Sequence, residues 1–323
     1  MRIRSMTRVL AGCLLTAGFP ATAAAQAWLP PEREGSVSIT FQGLTSPQHL
    51  DRDGKPLERG QVTSGTLVFG VEYGLTHLLA IDVKVGVTAA RHQGADRLHG
   101  PLDTGIYHGS VQDARASLAL QLPTGGPIAV APYVAVVLPT HGYETRGHSA
   151  HGRRLRVLQM GSWVGADLGP VLPSAYLHGQ YAFSLVEKVG GMSINRSNVD
   201  LEGGYRIGPF MTATVAGSLV LTHGGLDVPL PRDEHYQHVF PFHDRVTRDS
   251  RMLMSAGATV SLPNSMTVYG NVVWTTWGRN THSVKGVVVG TSWTFGPRLP
   301  FGGAADATME PSASSRPAAG FGR

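Results

Sequence analysis

Cysteine is almost missing: the 323 residues hold one, Cys13. It lies in a leader with a basic start (Arg2, Arg4, Arg8), a mostly apolar stretch from Val9 to Pro20, and the small residues Ala23-Ala24-Ala25. That order is a secretory signal peptide, read over residues 1–25 with the mature chain starting at Gln26. Leu10-Ala11-Gly12-Cys13 has the form of a lipoprotein cleavage box, but almost no apolar sequence precedes Cys13, so lipidation is not expected. A mature chain without cysteine crosses an oxidising compartment with no disulfide, and cysteine chemistry is excluded. Long apolar runs are also absent. No mature stretch reaches ~18 consecutive apolar residues, which excludes membrane-spanning helices. Charge of one sign is scarce: three of the 27 basic residues lie in the leader, which has no acid, leaving 24 basic against 22 acidic residues. Nucleic acid is not an expected partner. There is no G-x-S-x-G, no P-loop and no dinucleotide fingerprint. Ser and His occur, for example His178 and Ser184, but no catalytic pair can be read from spacing; neither an enzyme nor a cofactor is expected.

What is present is alternation. In Met266–Phe295, Val287, Val289, Thr291, Trp293 and Phe295 share one face of a strand, against Gly286, Val288, Gly290, Ser292 and Thr294. The pattern stops at the aromatic Phe295, as the last strand of an outer-membrane barrel stops at the membrane interface. The same period of two recurs upstream. Strands are predicted over Ser36–Gly43, Val62–Tyr73, Leu78–Arg91, a stretch ending at Leu122, Ile128–Leu138, one ending at Leu168, one ending near Leu185, Arg196–Ile207, Phe210–Leu221 and Arg251–Leu262, before the closing hairpin. The connections alternate long and short. A soluble sandwich has no reason to collect its short turns at one end, whereas an outer-membrane barrel has short periplasmic turns and long outer loops. The 41 glycines, mostly inside alternating runs, suit a sheet that bends and closes. The expectation is an all-β, closed antiparallel transmembrane barrel of about twelve strands over residues 26–295. Residues 296–323, rich in Gly, Ala, Pro and Ser, are read as disordered periplasmic chain.

Parity assigns the polar face to the lumen: Glu72, Asp82, Lys84, Asp113, Arg115, Asp167, His178, Gln180, Asp200, Glu202 and Arg206. Two readings stand. These charges neutralise one another inside a narrow, plugged barrel, or they line a conduit selecting a small polar or amphipathic solute. Most of the 14 histidines fall in outer loops, and His235 and His238 beside Asp233 and Glu234 are dense enough to bind a cation. No tight ligand set recurs, so no metal site is predicted. Arg146, Arg153, Arg154 and Arg156 make one outer loop basic, with lipopolysaccharide phosphates as expected neighbours. Membrane lipid and the barrel-assembly machinery, through Trp293 and Phe295, complete the expected partners.

The start AWLPPEREGSVSITFQ, the Asp113-Ala114-Arg115 strand running to QLPTGG, VVLPTHGY and the ending WGRNTHSVKGVVVGTSWTF resemble the bacterial outer-membrane proteins called "MetA-pathway of phenol degradation". That group is more distantly similar to the long-chain fatty-acid transporter barrels. The resemblance implies a porin-like or transport role, with hydrophobic or aromatic compounds as the expected solutes. It carries over no binding residues. The fatty-acid transporters hold an N-terminal hatch inside the barrel; here Gln26–Glu34 alone precede the first strand, too few residues for such a plug. The longest loop, Thr222–Ser250, is therefore the candidate constriction, with Tyr236, His238, Phe240, Phe242 and His243 folding over the mouth. The expected function is an outer-membrane channel or transporter for small solutes. The alternative is a structural or surface-interaction barrel acting through its outer loops.

Overall fold

The structure, a computed structural model, describes residues 27–94, 100–227 and 242–297. Its strands in chain order are β1 (Gly35–Leu50), β2 (Pro56–Leu57), β3 (Gln61–Gly74), β4 (Leu79–Gln93), β5 (His108–Val111), β6 (Ala114–Leu120) and β7 (Ile128–Leu138). They continue as β8 (Val157–Asp167), β9 (Ala175–Val186), β10 (Asn195–Ile207), β11 (Met211–His223), β12 (Ser250–Leu262), β13 (Met266–Arg279) and β14 (Thr281–Phe295), with one short helix, α1 (His243–Val246). Apart from β2 and β5, which flank the wall at the long-loop end, each strand pairs antiparallel with its neighbours. The last strand returns to the first, from Gly35↔Phe295 to Leu50↔Thr281. The result is a closed barrel of twelve strands with no free edge, the form a β-structure must take where no water satisfies the backbone.

Alternation then sorts the side chains. Val37, Leu67, Phe69, Val71, Val83, Val87, Leu118, Val134, Leu201, Val215, Val287 and Val289 lie outside and remain exposed. Together they form an apolar belt around the cylinder, the surface that lipid covers. Their neighbours of opposite parity, such as Thr40, Thr66, Thr88, Ser117 and Thr214, are buried on the inner face. Inward tyrosines lie across glycines of the next strand. A Cβ added to Gly204 would meet the Tyr176 ring at 2.1 Å, and one added to Gly290 would meet the Tyr269 ring at 2.4 Å. Part of the glycine content thus makes room for aromatics on the neighbouring strand.

The strand bounds match the sequence reading to within about two residues in most cases, with β1 the main departure. Alternation ends near Gly43, yet β1 runs seven residues further to Leu50. Pro47 lies where the β1–β14 register shifts between Thr45 and Gln48. A residue without an N–H is tolerated at such an irregularity, and pairing resumes beyond it. At the same end of the seam, β13 and β14 are joined by one residue, Asn280, at φ 51°, a left-handed conformation that asparagine tolerates.

Candidate functional site

The lumen has two different walls. On β4 and β6–β9 a polar network runs from strand to strand. Asp82 accepts Arg115 Nη1 at 2.8 Å and lies 3.1 Å from Lys84 Nζ. Arg115 Nη2 reaches Gln159 Oε1 at 3.4 Å, and Tyr133 Oη donates to the same oxygen at 3.3 Å. Gln180 donates to Tyr133 Oη at 2.5 Å and accepts Trp163 Nε1 at 3.0 Å. The Tyr133 and Trp163 rings stack at 4.2 Å, with the Arg115 guanidinium 5.5 Å from the Tyr133 centroid. Further round, Tyr176 Oη donates to Glu202 at 2.8 Å. The seam wall is different in kind. Leu44, Leu253, Val273, Val284 and Val288, from β1 and β12–β14, form a buried apolar cluster on the inside.

Both ends of the cylinder are crossed by chain. At the short-turn end, Glu32 bridges to Gly74, Leu29 N donates to Gln121 Oε1 at 3.0 Å, and Ala27 packs in the cluster of Tyr133 and Trp163. Trp28 lies so close to Gly165 that a Cβ there would meet its ring at 2.2 Å. Residues 27–34 therefore run from the seam to the far wall at β8. Length alone argued against a hatch, but the inner face of β8 offers a glycine that a single tryptophan can cover.

At the long-loop end the crossing segment among the described residues is the loop between β7 and β8; residues 228–241 of the connection between β11 and β12 lie outside them. Loop 139–156 is rooted opposite the seam and reaches it: the His148 ring lies 6.0 Å from that of His282 on β14 and 6.1 Å from that of His49 on β1. Asp103 accepts the backbone N–H groups of His148 at 2.8 Å and Ser149 at 3.0 Å, and Asp244 accepts that of Gly147 at 3.0 Å. Asp113 accepts Tyr143 Oη at 2.6 Å. Asp249 sits among Arg153 (2.8 Å), Arg251 (3.2 Å) and Arg196 (3.8 Å). Burial alone would raise its pKa, but the three guanidiniums outweigh that and hold its carboxyl well below the usual range. A small apolar core of Leu155, Val186, Val189, Ile194, Leu226 and Val246 ties the outer connections together.

Of the residues expected at the lumen, Glu72, Asp82, Lys84, Arg115, His178, Gln180, Asp200 and Glu202 project inward from the wall and are buried or half-buried. Asp113 stands at the long-loop mouth beside Tyr143. Asp167 and Arg206 are exposed at the short-turn rim. Tyr236, His238 and Phe240 lie outside the described residues. Phe242 is 41% exposed, and His243 Nε2 lies 3.1 Å from Asp244 Oδ1. Ser184 and His178 sit six residues apart on β9, about 20 Å along the strand, too far for a nucleophile and its base. Arg153 and Arg154 turn into the cap, donating to Thr247 O and Tyr143 O, which leaves Arg146 and Arg156 exposed. Sequence reasoning missed Tyr133, Gln159 and Trp163, although their parity marked them as inward. It also missed the meeting of His49, His148 and His282, for which one chain offers no local signal.

No family model matches the chain, and no curated protein matches it either. Among solved structures, the crystal structure of an outer membrane channel from Pseudomonas putida F1 is similar over 85% of this chain and 100% of that chain, with TM-score 0.66 and 11% identity. The NanC porin is similar over 79% of this chain and 98% of that chain, with TM-score 0.47 and 9% identity. At 11% identity the likeness to the Pseudomonas channel is one of fold, and the chain is a twelve-stranded transmembrane barrel of that architecture.

Proposed function

We propose that the chain is a channel of the bacterial outer membrane that passes small solutes with a hydrophobic or aromatic part and a polar group. The observation that carries this reading is the split lumen: Asp82, Lys84, Arg115 and Gln180 face an apolar wall of Leu44, Val273 and Val288. A solute with one apolar and one charged side meets a partner on each wall, while a uniformly hydrated one leaves the apolar wall unused. The signal read over residues 1–25 supplies the export route, and the resemblance to the phenol-degradation group points to the same solute class. Lipopolysaccharide phosphates at Arg146 and Arg156, and assembly machinery at Trp293 and Phe295, fit as partners, since all four side chains are exposed.

The test is planar-bilayer recording of the mature, untagged barrel, followed by liposome swelling with benzoate and with a sugar of similar size. Reproducible single-channel steps and faster swelling with benzoate are expected. Silent bilayers overturn the channel, and faster sugar entry overturns the solute class. One observation favours a second reading, a barrel that acts through its loops: both mouths are crossed, and the outer loops have an apolar core of their own. Silence in bilayers from a folded barrel selects it.

A further inference from the structure

Spacing along the chain predicts no metal site, yet the fold assembles a histidine cluster at the long-loop mouth. His49 and His282 are direct partners across the β1–β14 seam, with ring centroids 4.8 Å apart. His148 comes from the opposite side of the barrel, carried across the mouth by loop 139–156. One ring nitrogen of each lies within 4.8 Å of those of the other two. His92, at the end of β4, stands beside them with its ring 4.9 Å from that of His148.

We propose that His49, His148 and His282 bind a divalent transition-metal ion, Zn2+ or Cu2+, which latches loop 139–156 to the seam of the barrel. Three features support it. First, the donor set is all imidazole nitrogen with no carboxylate, which suits Zn2+ and Cu2+ and not the oxygen-seeking Ca2+ or Mg2+. Second, the ligands are held in place. Asp103 and Asp244 fix the backbone on both sides of His148, and Ser46 Oγ lies 3.2 Å from His282 Nδ1. Hydrogen bonds of this kind orient ligating rings. Third, the spacing is nearly right. Zn–N bonds of ~2.0–2.1 Å put tetrahedral ligand nitrogens about 3.4 Å apart, so the set, now within 4.8 Å, has to contract by up to about 1.4 Å, within reach of side-chain rotation. Three protein ligands leave a fourth position open to water.

The latch follows from connectivity. The three ligands come from two adjoining strand ends and from a loop rooted across the barrel, so a bound ion ties the loop tip to the wall it crosses toward. The bland alternative is that the rings pack only as neutral aromatic surfaces.

The test uses mature, untagged protein folded in detergent. Equilibrium dialysis against Zn2+ should give saturable binding of one ion per chain. His148→Ala should weaken it by about tenfold or more, His282→Ala likewise, and His77→Ala, at the far short turn, should leave it unchanged. Cu2+ bound to the wild type should show nitrogen hyperfine structure in its electron paramagnetic resonance spectrum, a readout that needs no variant to fold. Zn2+ should also slow tryptic cleavage after the exposed Arg146 in the wild type but not in His148→Ala. Absence of saturable binding, a Cu2+ spectrum without nitrogen, or affinity indifferent to His148 and His282 overturns the site. Binding without protection at Arg146 overturns the latch.

Discussion

At the scale of single residues, parity decides what a substitution meets. Val83 is 45% exposed on the outer belt, while its neighbour Lys84 points inward to Asp82. Val83→Arg places a cation in lipid and should cost ~2–4 kcal/mol at mid-membrane. Lys84→Ala removes one partner of Asp82, but Arg115 still holds that carboxylate at 2.8 Å, so the loss should be about 1 kcal/mol. Urea unfolding from lipid vesicles measures both, and equal costs would mean that the two side chains do not face opposite surroundings. Asp249 is the opposite case, a buried acid that holds three cations together. Asp249→Asn leaves those guanidiniums uncompensated and should destabilise by about 3 kcal/mol at neutral pH. The sign with pH follows from the depressed pKa. A carboxyl lowered in the folded state stabilises fully above the unfolded value of about 3.9, and that contribution fades as pH falls through the folded value. The gap between wild type and variant should therefore be constant from pH 7 to 5 and shrink only below about pH 4. A gap that closes between pH 7 and 5 would contradict the arrangement.

At the scale of elements, the two crossing segments set the openings. Trp28 covers Gly165 on the inner wall of β8. Trp28→Ala should loosen residues 27–34 and raise single-channel conductance. Gly165→Val should do the same by pushing the ring away. Unchanged conductance in both variants would show that this segment does not constrict the pore. Neither crossing is written in local pattern. A strand announces itself by a period of two, because each residue faces one of two environments. A loop such as 139–156 has no period; its path depends on Asp103 and Asp244, which lie on other loops and accept its N–H groups. In the longest connection, the described residues 242–249 brace the neighbouring loop through Asp244, Arg245 and Asp249, while Tyr236, His238 and Phe240, on which the gating expectation rests, lie outside the described residues.

At the scale of the whole molecule, closure turns twelve half-apolar strands into one lipid-facing cylinder. The alternation of Leu79–Val87 or Val287–Phe295 and the alternating connection lengths are local properties. They determined strand number, parity and the apolar belt, because a strand side chain has only two directions to point. The tertiary structure decided what depends on the circumference: that β14 meets β1 in register, which puts His49 opposite His282; that the β7–β8 loop crosses a full diameter to add His148; that Trp28 finds Gly165; and that Arg153, Arg196 and Arg251 converge on Asp249. These contacts join residues far apart in the chain, and their distances are set by the radius of the closed sheet, which no single segment of the sequence contains.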